Sequence, residues 1–71
     1  MSNIGDVIRN HRQEKQISLQ ELALKTRCGV KTIEEYERGE RTPDLQTILK
    51  ISTTLDIPAS QLLEENNSIY S

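Results

Sequence analysis

His11 and Cys28 are the two side chains that could ligate a soft metal or take part in covalent catalysis. Neither has the company such chemistry needs. A structural zinc site takes four ligands, and one histidine with one cysteine falls short. A cysteine nucleophile needs an adjacent base, yet the single histidine lies 17 residues earlier, on a different predicted helix. No catalytic residue, metal or cofactor is therefore expected. Cys28 reads as a small hydrophobe, and His11 as a core or boundary residue on an apolar stripe. One cysteine allows no intrachain disulfide, and the apolar runs are too short for a signal-peptide core or a membrane span. The expectation is a reduced, cytoplasmic setting without a membrane.

The remaining chemistry is charge. The net charge of −2 and the pI near 5.3 argue against a strongly basic nucleic-acid binder. The charge is unevenly spread: residues 1–31 carry six bases and three acids, and residues 32–71 carry three bases and eight acids. A polyanion responds to the local field at its docking face and not to the total, so weak, salt-sensitive binding of nucleic acid stays open.

These groups are positioned around the stretch from Ile17 to Gly39. Ser18 precedes an apolar-periodic run and Glu21 follows three residues later, the capping-box arrangement in which hydroxyl and carboxylate each satisfy an orphan N–H. A helix is predicted from Leu19 to about Lys25, because Thr26, Arg27, Cys28 and Gly29 weaken and then break it. The helical period resumes with Val30, Ile33, Tyr36 and Glu37, and Arg38-Gly39 ends it with Gly in the C′ place. Two helices of about seven or eight residues around a short turn have helix-turn-helix dimensions, although a generic helical hairpin would show the same spacing. Leu22, Ala23, Cys28, Ile33 and Tyr36, with Ile17, form the expected inward set.

Three more helices flank the pair. Ser2-Asn3 predicts an N-cap for a first helix from Ile4 to about Lys15, with Ile4, Val7, Ile8 and His11 in one stripe. Gln16 occupies its exit, where glycine would be easier. Thr42 as N-cap, Pro43 at the first helical position and Asp44 in the first turn predict a fourth helix to about Leu55. Its inward side would carry Leu45, Ile48, Leu49, Ser52 and Leu55, with Lys50 outside. Asp56-Ile57-Pro58 breaks it, and a last short helix from Ala59 to about Glu64 returns Leu62 and Leu63 to the core. The reading is one all-α domain of five helices over residues 1–64, with a frayed tail over 65–71.

In this order the five helices resemble the XRE family of bacterial and phage repressors, the Cro and phage-repressor type of helix-turn-helix domain. The matching residues are Ile4-Gly5, Ile8, Arg12, Ser18, Glu21, Leu22, Ala23, Thr32, Ile33, Glu37-Arg38-Gly39, Pro43, Leu45, Ile48, Ile51, Leu55 and Leu62-Leu63. The resemblance implies a repressor-like five-helix bundle with the helix-turn-helix formed by helices 2 and 3. It implies a sequence-specific regulator that binds double-stranded DNA as a homodimer, with helix 3 in the major groove. Val30, Lys31, Thr32, Glu34 and Glu35 would then face DNA. Ser18 and Leu19 would approach a phosphate at a helix N-terminus, and Arg38, Arg41 and Thr42 would touch the backbone from the following loop. Arg12 and Glu37 match a structural ion pair that ties the first helix to the third.

The chain departs from the family at Leu19, where Gln is usual, at Arg27, where Gly is usual, and at Gly29, which replaces a Ser or Thr cap. Arg27 would either take a left-handed conformation or the turn would adjust. A Glu at 34 or 35 can accept from cytosine N4, but two adjacent acids oppose phosphates. The same stretch also resembles the cytoplasmic helix-turn-helix of membrane-linked cell-shape proteins, which implies a protein-interaction module as the alternative; the DNA-binding half of a longer gene product, or an antitoxin-like partner, is a third reading. In the dimer reading, contact would come from the last helices and the tail, with Ile69 and Tyr70.

Overall fold

A computed structural model of the chain describes residues 4–66. Among these residues are five helices and no strand: α1 (Ile4–Glu14), α2 (Leu19–Thr26), α3 (Val30–Arg38), α4 (Leu45–Leu55) and α5 (Ala59–Asn66). The expected cap at Ser2-Asn3 and the tail contacts of Ile69 and Tyr70 lie outside the described residues. Helix α5 runs past Glu64 to Asn66.

Helix starts follow local chemistry. The Ser18 hydroxyl accepts the Glu21 N–H at 3.0 Å and fixes the start of α2. The return half of the expected capping box is not formed; the Glu21 carboxylate lies 3.9 Å from Lys25 Nζ, an i,i+4 pair along the helix. Helix α4 starts later than expected. Asp44, and not Thr42, is its N-cap: the carboxylate accepts the Thr47 N–H at 2.8 Å, and Pro43 stays outside the helix. A carboxylate is at least as good a cap as a hydroxyl, and its charge also suits the positive end of the helix dipole.

Helix ends share one device. After α1 the Ile17 N–H reaches the Arg12 carbonyl at 3.0 Å and the Gln16 N–H reaches that of Gln13 at 3.0 Å. The same 6→1 and 5→2 pair of bonds, the Schellman motif, closes α2, α3 and α4. The left-handed residue each motif needs is glycine only at Gly39; Gln16, Arg27 and Asp56 take it with φ of 58°, 59° and 58°. Arg27 thus adopts the strained conformation and the turn keeps its shape.

Apart from Tyr36 the core is aliphatic, and it draws on every helix: Ile4, Ile8, Leu22, Ala23, Ile33, Tyr36, Ile48, Ile51, Leu55 and Leu62. On α4 the buried stripe is Ile48, Ile51, Ser52 and Leu55. Leu45 and Leu49, expected inward, are 57% and 47% exposed. The helix is rotated toward Ile51, which places both leucines on its flank. Thr26 is fully buried at the end of α2, its hydroxyl donating to the Leu22 carbonyl at 2.7 Å, so the core gains no unpaired polar atom.

Candidate functional site

Placement of α3 begins with two residues of α1. Gly5 is buried against the last turns of α3, and a Cβ there would meet the carbonyl oxygens of Tyr36 and of Glu37, the latter at 2.8 Å. Only a residue without a side chain lets the two backbones come so close. One face further on, Arg12 Nε donates to Glu37 Oε2 at 2.7 Å and Nη2 donates to Oε1 at 3.1 Å, a two-pronged pair. Arg12 Nη1 also donates to the Ile17 carbonyl at 3.0 Å, so one guanidinium joins α1, the approach to α2 and the end of α3. The side chains of this pair are 13% and 8% exposed.

From the inside α3 is held by Ile33 and Tyr36, both buried. Burial is the main cause that pushes the Tyr36 hydroxyl above its ordinary value, and the neighbouring Cys28 thiol adds to it. The phenol therefore stays neutral at physiological pH. Cys28 itself is half-buried against the core, its Sγ 3.6 Å from the Thr26 carbonyl. His11 is a boundary residue with Nδ1 3.3 Å from Glu14 Oε1.

The residues expected to face a partner divide into two sets. Ser18, Lys31, Arg38, Arg41 and Thr42 are exposed, whereas Leu19, Val30, Thr32, Glu34 and Glu35 are half-buried. Leu19 and Val30 pack against the core with one side. Arg41 Nη1 lies 3.7 Å from Glu35 Oε1, which brings the loop after α3 back onto that helix. Arg38 Nη1 lies 3.7 Å from Glu40 Oε1. Lys31 and Glu34 have no ion pair among the described residues. The Ser18 hydroxyl is already engaged as a cap, which leaves the Leu19 and Gln20 N–H groups as the open donors at the start of α2. Gly29 caps α3 with no side-chain bond.

Gly5 was legible only as part of the family match at Ile4-Gly5, outside the apolar stripe; nothing local told that a second helix crosses there. No group of three or more His, Cys, Asp or Glu side chains able to hold a metal occurs among the described residues.

A short helix held from behind by a buried ion pair, with its first turn and the start of α2 left open, is the arrangement of a helix-turn-helix domain. A Helix-turn-helix family model matches residues 8–62. The chain belongs to this family, the XRE-type transcription regulators, which are DNA-binding proteins and not enzymes. An HTH-type transcriptional regulatory protein of Methanococcus maripaludis is 41% identical over 54 residues, covering 76% of this chain and 17% of that protein. SinR of Bacillus subtilis, an HTH-type transcriptional regulator, is 37% identical over 65 residues, covering 90% of this chain and 59% of SinR. The chain thus spans 17% and 59% of the lengths of these two relatives. A crystal structure of SinR, a master regulator for biofilm formation, in complex with DNA superposes with a TM-score of 0.79 at 38% identity, covering 84% of this chain and 97% of that one. The complex of SinR with SinI protein gives 0.80 at 36%, covering 93% and 65%.

Proposed function

We propose that the chain is a sequence-specific, DNA-binding regulator of transcription, a repressor in type, which acts as a homodimer on a two-fold symmetric operator with α3 in the major groove. The observation that carries this reading is the likeness to SinR bound to DNA, over 97% of that chain. Lys31, exposed on the first turn of α3 and without an ion pair, is the residue best placed to engage a base edge or phosphate. Val30 and Thr32 flank it, and Glu34 or Glu35 accepts from cytosine N4. The open N–H groups at Leu19 and Gln20 take a phosphate at the positive end of α2, next to Ser18. Arg38 and Arg41 sit in exposed pairs at 3.7 Å, which are worth little and exchange readily for phosphate, with Thr42 beside them. No described helix is long and apolar enough to cross a membrane, and a regulator of this kind works in the cytoplasm.

Selection of bound duplexes from a random library tests the reading: a symmetric consensus with half-sites about one helical turn apart is expected. Lys31→Ala weakens binding. A second reading is a protein partner on the acidic α3 face, which Glu34 and Glu35 would offer; SinR itself forms a complex with a protein. The charge reversals Glu34→Lys and Glu35→Lys separate the two: they strengthen DNA binding in the first and abolish a protein contact in the second.

A further inference from the structure

Leu19 opens α2 and Val30 opens α3, and both are half-buried aliphatic residues that pack against the core with one side and leave the other open. Their neighbours are exposed and polar or small: Ser18 and Gln20 beside Leu19, Gly29 and Lys31 beside Val30. The face proposed for DNA therefore holds two anchored apolar points whose side chains neither donate nor accept a hydrogen bond. Position 19 is also where the family usually carries Gln, so a polar grip gives way here to an aliphatic one.

In the major groove the base edges present donors, acceptors and one methyl group, that at C5 of thymine. An aliphatic side chain set against a carbonyl or amino edge strips water from it and returns no hydrogen bond, whereas against a methyl it only removes apolar surface from water. Both side chains are restrained in advance, Val30 by β-branching and each by its core contact, so little freedom is lost on binding. We infer that Leu19 and Val30 together read the C5 methyl of a thymine in each half-site, beside the base edge or phosphate that Lys31 takes. Sequence preference then has two parts. The charged groups give affinity that salt weakens, and the aliphatic pair gives a discrimination that salt leaves alone. The inference rests on the DNA-binding reading and assigns a share of its specificity.

Equilibrium binding to the selected consensus duplex, with each thymine replaced in turn by deoxyuridine, which lacks only the methyl, tests it. At one thymine per half-site Kd should rise by about fourfold, the worth of one buried methyl, and that ratio should hold across a salt series. Leu19→Ala and Val30→Ala each lower the ratio, and the double variant brings it to one. Leu24→Ala, at a position of α2 that is 78% exposed, leaves it unchanged. A general loss of fold weakens binding to both duplexes alike and does not move the ratio. If no thymine replacement changes Kd, or the ratio survives in the double variant, the methyl reading is wrong while the DNA-binding reading stands. If selection yields no bound duplex, both fall together.

Discussion

The Arg12 guanidinium works at two places at once, on the Glu37 carboxylate and on the Ile17 carbonyl. Glu37 is buried, so removing Arg12 leaves an uncompensated charge in the packed junction of α1 and α3. Arg12→Met is expected to destabilise the fold by about 3–5 kcal/mol, while Arg12→Met with Glu37→Met recovers most of that because two apolar side chains replace the pair. Urea unfolding of both variants checks this; a single variant as stable as the wild-type chain would contradict it. In a domain whose whole stability is about 5–15 kcal/mol, the single change is close to unfolding. These partners are 25 positions apart, and no periodicity links them. Only the family resemblance put the two together in the sequence. Gly5 is the opposite case, a residue present in the matching pattern whose reason appears only when the carbonyls of α3 are seen against it.

The strained helix ends give a second expectation, at the scale of the element. Arg27→Gly relieves a left-handed residue at φ 59° and should stabilise the chain by about 1 kcal/mol, read as a higher thermal midpoint. An unchanged or lower midpoint would mean that the αL site is not strained. The start of α4 gives a pH dependence. The Thr47 hydroxyl, and after it the Thr47 N–H, hold the Asp44 carboxyl below its ordinary value. A carboxyl whose pKa is depressed on folding stabilises above its unfolded pKa of about 4, and this is lost as pH falls through the folded value. Asp44→Ala should therefore lower the midpoint at neutral pH and differ much less from the wild-type chain near pH 2; a gap of equal size at both would rule the cap out as the cause. Helix starts were legible because caps act over three residues, as at Ser18. Helix ends were less so: Gly39 announced itself and Asp56-Ile57-Pro58 marked where α4 stops, but Gln16 carries no left-handed signature. The rotation of α4 was also hidden, because Leu45–Ile48–Leu49–Ser52 and Ile48–Ile51–Ser52–Leu55 fit the helical period equally well. Packing against α2 and α5 decides between them.

At the scale of the whole molecule, five short helices share one aliphatic core, and the charge asymmetry read from the sequence acquires a location. Acidic residues of the second half include Glu35 and Glu37, each met by an arginine, and Glu40, which lies near Arg38. Of these only the buried Glu37 charge is firmly answered within the fold, by Arg12, and Lys31, exposed on the same helix, has no ion pair among the described residues. This is how a chain of net charge −2 can serve a polyanion. The most direct test is equilibrium binding of the chain to duplex fragments of its own genome across a salt series. The predicted result is an affinity that falls linearly with salt on logarithmic axes, with the slope smaller by about one in Lys31→Ala. Absence of any salt-dependent binding at micromolar chain would contradict the account.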